Sequence, residues 1–551
     1  MADAIGLVTG VSGAEMTVAL DQNRGSDGTG RVRIGALVKA ATQAGTAIGI
    51  VSAIQSDADG SRAVLEVDLL GEISKVLRFS RGVSVYPQLG ASVFAADSSD
   101  ADLVYGRPEA FHARIGTIYQ DESHPAFLIT DDLLAKHFAI VGSTGSGKSC
   151  AVTLLLRALL DVHRCGHIIL LDPHDEYSTA FGNSAEVLNV DNLELPCWLL
   201  NFEELVAVLV RGGSPEEQQA QTNILKDAVL QARRSHGGQP AANAWMTVDT
   251  PVPFRPSDLI QIISETMGKL NKADTAAPFL RLRARIESLQ ADRRYSFMFS
   301  GGSHDNLAAL IGRLLRIPVA GKPLTIIDLS GLPSEITDVV VSLLFRMIFD
   351  FAVWAERNKM PPVLVVCEEA HRYVPADRNL GFSASTRAIS RISKEGRKYG
   401  ISLGLVTQRP SELSATVLTQ CSTLFALRMS NELDQKFISN ALPDSLRGML
   451  ASLPSLRRQE AVVVGEGVAV PMRIRFDSLA AENRPRSNSA HFSHDWQIDS
   501  AGADFIQEGI RRWRRQTRDF SQSAEPQNGA GTSPSRDSIL RLRTMVSNGQ
   551  G

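Results

Sequence analysis

The chain has 551 residues, 44% of them hydrophobic, which is too long for one ordinary domain and apolar enough for two or three with a large buried core. Its net charge of −3 excludes a whole-molecule electrostatic grip on nucleic acid, so any such grip must come from a local patch. The five cysteines, Cys150, Cys165, Cys197, Cys367 and Cys421, form no CxxC pair, which argues against a disulfide framework and for a reduced compartment.

Residues 1 to about 115 break into short β-branched or alternating runs separated by Gly, Asp and Ser turns: Gly6 to Thr9, Gly30 to Ile34, Ala63 to Val67 and Val83 to Tyr86. That spacing predicts a small β-barrel. From about residue 116 to 480 short apolar strands alternate with helical stretches, the rhythm of a parallel α/β sheet. Five core strands are predicted: Phe138 to Val141, Ile168 to Leu171, Leu324 to Ile327, Val363 to Val366 and Leu403 to Val406. Between the second and third, about residues 203 to 315 read as a helical insertion, with Pro256-Ser257-Asp258 as a helix start. Residues 481 to 551 turn polar and read as an arm, partly disordered; Arg511 to Arg515 fall on a helix and Ser521 to Arg536 are rich in Ser, Pro and Gly. No basic-then-apolar signal opens the sequence, and the most apolar helical stretch, Val339 to Ala355, is interrupted by Arg346 and Asp350. The expectation is a cytoplasmic protein with no membrane partner.

The first core strand runs into Gly142-Ser143-Thr144-Gly145-Ser146-Gly147-Lys148-Ser149, followed by a helix from Cys150 to Leu160. Such a glycine-rich turn lets backbone N–H groups converge on phosphate oxygens, with Lys148 reaching the outer phosphates and the Ser149 hydroxyl a magnesium ion. The helix directs its positive end at the same anion. This pattern predicts binding of ATP with Mg²⁺.

At the end of the second strand, Asp172 and Glu176 lie in Asp172-Pro173-His174-Asp175-Glu176-Tyr177. They can orient metal-bound water or a neighbour, or belong to an ordinary connecting turn. The strand Val363 to Val366 ends in Cys367-Glu368-Glu369-Ala370-His371. Hydrolysis needs one carboxylate for the magnesium shell and one to polarise the attacking water; Glu368 suits the first and Glu369 the second. His371 can couple the nucleotide to the next loop or be a structural histidine. Gln408, after Thr407 at the end of the fifth strand, can sense the γ-phosphate without adding charge, or cap a helix. The basic stretch Arg387 to Lys398 can complete a neighbouring subunit's site, face DNA, or be a solvated helix face. Arg378, Arg387 and Lys394 are candidate channel cations by position alone.

Together these residues resemble the HerA branch of the FtsK–HerA superfamily of ring-forming DNA translocases. Phe138 to Ser149 is similar to its phosphate loop, Asp172 to Tyr177 to its second acidic turn, Glu368 to His371 to its hydrolytic strand end, and Glu395 to Ile401 with Thr407 to Ser411 to the region of its sensor Gln and its arginine acting across subunits. The resemblance places that arginine at Arg391, with Arg397 as competitor, and the N-terminal strands in a HAS-barrel. Lys136 departs from the Arg expected of many members. The resemblance implies a RecA-like α/β P-loop core, and a homohexamer that threads double-stranded DNA with ATP between protomers. It further implies a nuclease or NAD-cleaving effector docked on the barrel face, in DNA-end processing or anti-phage defence. Two other readings stand beside this one: an ATPase scaffold that assembles and gates an effector, and a conjugation or secretion motor.

Overall fold

The computed structural model describes residues 4–21, 32–56, 63–236, 245–269, 276–300, 304–377, 383–442, 447–486, 492–497 and 502–515. Seven strands come first: β1 Gly6–Ser12, β2 Glu15–Leu20, β3 Leu37–Ala41, β4 Gly45–Ser56, β5 Ala63–Ser74, β6 Phe79–Arg81 and β7 Ser92–Ala95. They lie in the order β2-β1-β7-β3-β4-β5-β6, and β2 also pairs with β5. That extra pairing closes six strands into a barrel, which removes the free edges an open sheet would expose. Val8, Met16, Val18, Val38, Val51, Leu65, Val67 and Val93 fill it.

Two predicted runs are not strands. Val83 to Tyr86 is a loop: Gly82 turns the chain at φ 85°, and the Glu72 carboxylate accepts both the Ser84 backbone N–H (3.0 Å) and its hydroxyl (2.7 Å). Of Gly30 to Ile34, the first two residues lie outside the described residues, and the rest runs into a turn at Ile34-Gly35. Alternating β-branched residues there satisfy side-chain and turn bonds, not a ladder.

The second sheet has eleven strands: β8 His112–Ile118, β9 Pro125–Ile129, β10 His137–Val141, β11 Ile168–Asp172, β12 Ala185–Leu188, β13 Leu324–Asp328, β14 Val363–Cys367, β15 Ile401–Thr407, β16 Cys421–Leu427, β17 Glu460–Gly465 and β18 Met472–Phe476. Their order is β12-β13-β11-β14-β15-β10-β16-β17-β18-β8-β9. The first seven are parallel, and β16 to β9 continue antiparallel. The five predicted core strands are all present, at the centre of a mixed rather than a purely parallel sheet.

Continuous apolar runs form these strands because both faces are covered. Ala139, Val141, Ile169 and Leu171 enter one core with the long helix Ser334–Trp354 and the helices Phe202–Leu209, Pro215–His236, Pro256–Met267, Ala277–Ala291 and Leu307–Leu315 that lie between β12 and β13. Phe138, Ile140, Ile168 and Leu170 enter the other, with the helix Lys148–Val162 and with Ile48, Ile50, Leu70 and Ile73 of the barrel. The barrel and the sheet therefore share one apolar seam. Fully buried Glu204 pairs with Arg346 (2.9 Å) and accepts the Ser342 hydroxyl (2.8 Å), anchoring the helices after β12 to Ser334–Trp354.

The chain divides into two compact units, Met1–Asn488 and Ser489–Gly551. In the second, the described residues form the helices Phe492–Asp495 and Ala503–Arg515; residues 516–551, including Ser521 to Arg536, lie outside the described residues. No helix of the described residues is long and apolar enough to cross a membrane.

Candidate nucleotide site

Register aligns the ends of the central strands. Val141 pairs with Thr407, Cys367 with Leu405, and Leu171 with Cys367, so the loops after β10, β11, β14 and β15 emerge at one edge. Open α/β sheets place ligands at this edge.

After β10 the chain turns through Gly142 to Gly147. The Ser143 N–H donates to Arg428 O (2.9 Å) and the Ser146 N–H to Ser143 O (3.1 Å). Gly145 at φ 72° and Gly147 at φ 101° occupy the left-handed region that favours glycine, and Gly147 caps the helix Lys148–Val162 without a side chain in the way. A Cβ on Gly142 would lie 2.8 Å from both Leu427 Cβ and Ser146 Oγ, so the loop fits against β16 only with glycine.

Lys148 is 8% exposed, and its Nζ lies 3.4 Å from Ser143 O. Burial pulls its ammonium below the usual range, while the Glu368, Glu369 and Glu176 carboxylates work the other way. Glu368 is pushed upward, first by burial and then by the charge of Glu369, against the pull of Lys148. Glu369 sits at φ 50°, a strained conformation for a glutamate, and opens the turn Ala370–Arg372. Both Glu368 Oε2 and Glu369 Oε2 are buried without a hydrogen-bond partner, as is Ser146 Oγ.

The remaining candidates gather around this core. Ser149 Oγ donates to Glu176 Oε2 at 2.6 Å, and Thr144 Oγ1 to Gln408 Oε1 at 2.6 Å. Asp172 is fully buried and accepts three backbone N–H groups: His174 (3.2 Å) and Glu176 (3.1 Å) on Oδ1, Tyr177 (2.9 Å) on Oδ2. Burial pushes its carboxyl up to about 6. Its bonds shape the turn that delivers Glu176 to Ser149. A cavity of about 380 Å³ opens between Ser143, Thr144, Gln408, Arg409, Glu412 and Asp434.

Arg391 stands apart from these residues. It lies on the helix Ser383–Glu395, half exposed, 3.6 Å from Asp350 and with its guanidinium 4.3 Å from the Phe349 ring centre. Arg397 is exposed on the turn Gly396–Tyr399, Lys136 pairs with Glu466, and Arg387 with Glu203. Arg378 lies outside the described residues.

Sequence reasoning missed the cluster of Glu369, His371 and Thr407. His371 Nδ1 lies 3.0 Å from Thr407 Oγ1 and 3.3 Å from Glu369 Oε2. It also missed β16, which is followed directly by Arg428, whose carbonyl holds the phosphate loop; Leu424-Phe425-Ala426-Leu427 was the available signal, masked by the polar start Cys421-Ser422-Thr423.

The residues present fit a magnesium nucleotide. A buried lysine opens the helix after the glycine-rich loop, the Ser149 hydroxyl bonds Glu176, the Ser146 oxygen is buried without a partner, and three carboxylates act on the single ammonium. Among the described residues no three His, Cys, Asp or Glu side chains form a ready metal cage. Magnesium bound through few protein oxygens and the substrate's phosphates has that character.

Residues 113–348 match the family model described as Helicase HerA, central domain. The DNA double-strand break repair helicase HerA of Pyrococcus furiosus is 26% identical over 460 residues, covering 76% of this chain and 78% of that protein. The probable DNA double-strand break repair helicase HerA of Methanocaldococcus jannaschii is 24% identical over 462 residues, covering 78% and 88%. Among solved structures, VirB4 of Thermoanaerobacter pseudethanolicus superposes with a TM-score of 0.47 at 16% identity, over 68% of this chain and 98% of that one. Its central region is thus similar to the central domain of HerA helicases, and 76% of its length aligns with one of them.

Proposed function

We propose that this chain hydrolyses ATP to move along double-stranded DNA, as a motor of the HerA type. The observation that carries the reading is the meeting of Lys148, Glu368, Glu369 and Gln408 at one strand edge, with buried carboxylate oxygens that have no partner inside the protein. In this reading Lys148 and the loop Gly142 to Ser149 hold the phosphates, and Ser149, Glu368 and, through Ser149, Glu176 would hold Mg²⁺. The metal supplies charge neutralisation on the phosphate oxygens. Glu369 orients and deprotonates the attacking water, and Gln408 contacts the γ-phosphate side.

Arg391 acts on the nucleotide of a neighbouring protomer in a homohexamer; its partners within the chain, Asp350 and Phe349, belong to no part of its own nucleotide site. Double-stranded DNA occupies the channel of the ring. A nuclease or NAD-cleaving effector docks on the barrel, where Leu7, Val76, Leu77 and Leu89 are exposed, and the assembly serves DNA-end processing or anti-phage defence. The chain works in the cytoplasm.

The test is ATP turnover by the purified protein with and without linear double-stranded DNA at fixed salt. DNA should stimulate turnover, and Glu369→Gln should lower it by at least about a hundredfold while ATP affinity stays within about threefold. Turnover near wild type in Glu369→Gln would remove Glu369 from the chemistry, and turnover indifferent to DNA would overturn the motor reading.

A further inference from the structure

One ring nitrogen serves two groups at the centre of the site. His371 Nδ1 lies 3.0 Å from Thr407 Oγ1, with hydrogen-bond geometry, and 3.3 Å from Glu369 Oε2, which has no hydrogen bond. Nδ1 carries one hydrogen at most, so it can serve one of them well and not both. Thr407 Oγ1 accepts the Arg409 N–H (3.1 Å) and has a second lone pair for Nδ1–H. In this structure the bond goes to Thr407 and Glu369 is left without one.

Thr407 precedes Gln408, and Gln408 accepts the Thr144 hydroxyl of the phosphate loop at 2.6 Å. The end of β15 is therefore tied at once to the phosphate loop and to the ring beside Glu369. We infer that His371 is a positioning residue: when a γ-phosphate separates Gln408 from Thr144, the end of β15 shifts and His371 Nδ1–H passes from Thr407 Oγ1 to Glu369 Oε2, aligning that carboxylate for water. The inference rests on the role of Glu369 proposed above. No proton changes owner in the step, since Nδ1–H is the donor before and after. Burial holds the imidazole below its usual range with the help of Arg409 and Arg372, while Glu369 and Glu412 oppose it.

Four variants of the full chain test this, each checked for wild-type circular dichroism and melting. His371→Leu removes the donor; His371→Asn places an amide N–H near the position of Nδ1; Thr407→Val removes the competing oxygen; Glu369→Gln reports on the base itself. The expected result is a kcat lowered at least about tenfold in His371→Leu with KM for ATP within about twofold, and a kcat recovered to within about threefold of wild type in His371→Asn. Thr407→Val, which leaves Nδ1–H to Glu369 at all times, should raise turnover without DNA and compress the ratio of DNA-stimulated to basal rate. A wild-type kcat in His371→Leu, or equal loss in Leu and Asn variants, would overturn the inference. If Glu369→Gln is also at wild-type rate, it is the role of Glu369 that has failed; if Glu369→Gln is inactive and His371→Leu is not, only the positioning role has.

Discussion

Asp68, on β5 in the barrel wall, is 6% exposed, and its Oδ2 has no hydrogen-bond partner. Burial, and then the Glu15 and Glu66 carboxylates, push it up to about 7 from an ordinary 3.8, against a Ser52 hydroxyl that pulls it down. The folded chain therefore keeps this proton up to about pH 7, whereas the unfolded chain releases it near 3.8. Its contribution to stability is full below about pH 4 and drains away as the pH rises to about 7. Three decades at ~1.36 kcal/mol each set an upper bound of ~4 kcal/mol, and solvent relaxation around the carboxylate brings this to about 1–2 kcal/mol. Asp68→Asn is neutral throughout. Its stability relative to wild type should grow by about 1–2 kcal/mol between about pH 5 and pH 8, read as a melting-temperature advantage that widens by about 1–2 °C. Parallel melting curves for the two proteins across that range would refute the buried, proton-holding state of Asp68.

Gly142→Ala should weaken ATP binding at least about tenfold by nucleotide titration, because the new methyl must displace the loop by about half an ångström from Leu427 Cβ of β16 and crowd the loop's own buried Ser146 Oγ. Arg391→Ala should change folding stability by less than about 1 kcal/mol, its weak ion pair and its contact with the Phe349 ring being half exposed, yet lower turnover at least about tenfold. Mixing Arg391→Ala with Glu369→Gln protomers should restore activity, since one supplies the base and the other the arginine. No recovery on mixing would count against action across subunits.

The phosphate loop, the five central strands and the acidic end of β14 were legible because each rests on local chemistry: glycines where φ must be positive, apolar runs buried on two faces, and polar residues where strands end. Asp172 was legible as an acid at a strand end but not in its bonding, since three backbone N–H groups choose it only once the turn is built. Val83 to Tyr86 misled for the opposite reason: its alternation suits a strand, but the Glu72 carboxylate captures Ser84, and the pairing edge goes to Phe79–Arg81. The antiparallel extension from β16 to β9 brings together segments from both ends of the core, and such pairing over long separation leaves no local trace. The shared nitrogen of His371 was hidden in the same way, because Glu369 and Thr407 meet it from different strands.

The extension from β16 through β17 and β18 to β8 is also a mechanical link. The phosphate-loop strand β10 is laced to β16 by backbone bonds, and the lacing continues rung by rung to β8, the first strand after the barrel. Strain applied to the barrel loads those rungs together, side by side, and the apolar seam around Ile48, Ile50, Leu70 and Ile73 resists peeling. Pulling force is thus shared among many bonds before any one breaks. In the motor proposed above, a tether attached to the barrel would be dragged with the nucleotide strand as cargo is with a crane's boom, with little slack between stroke and load.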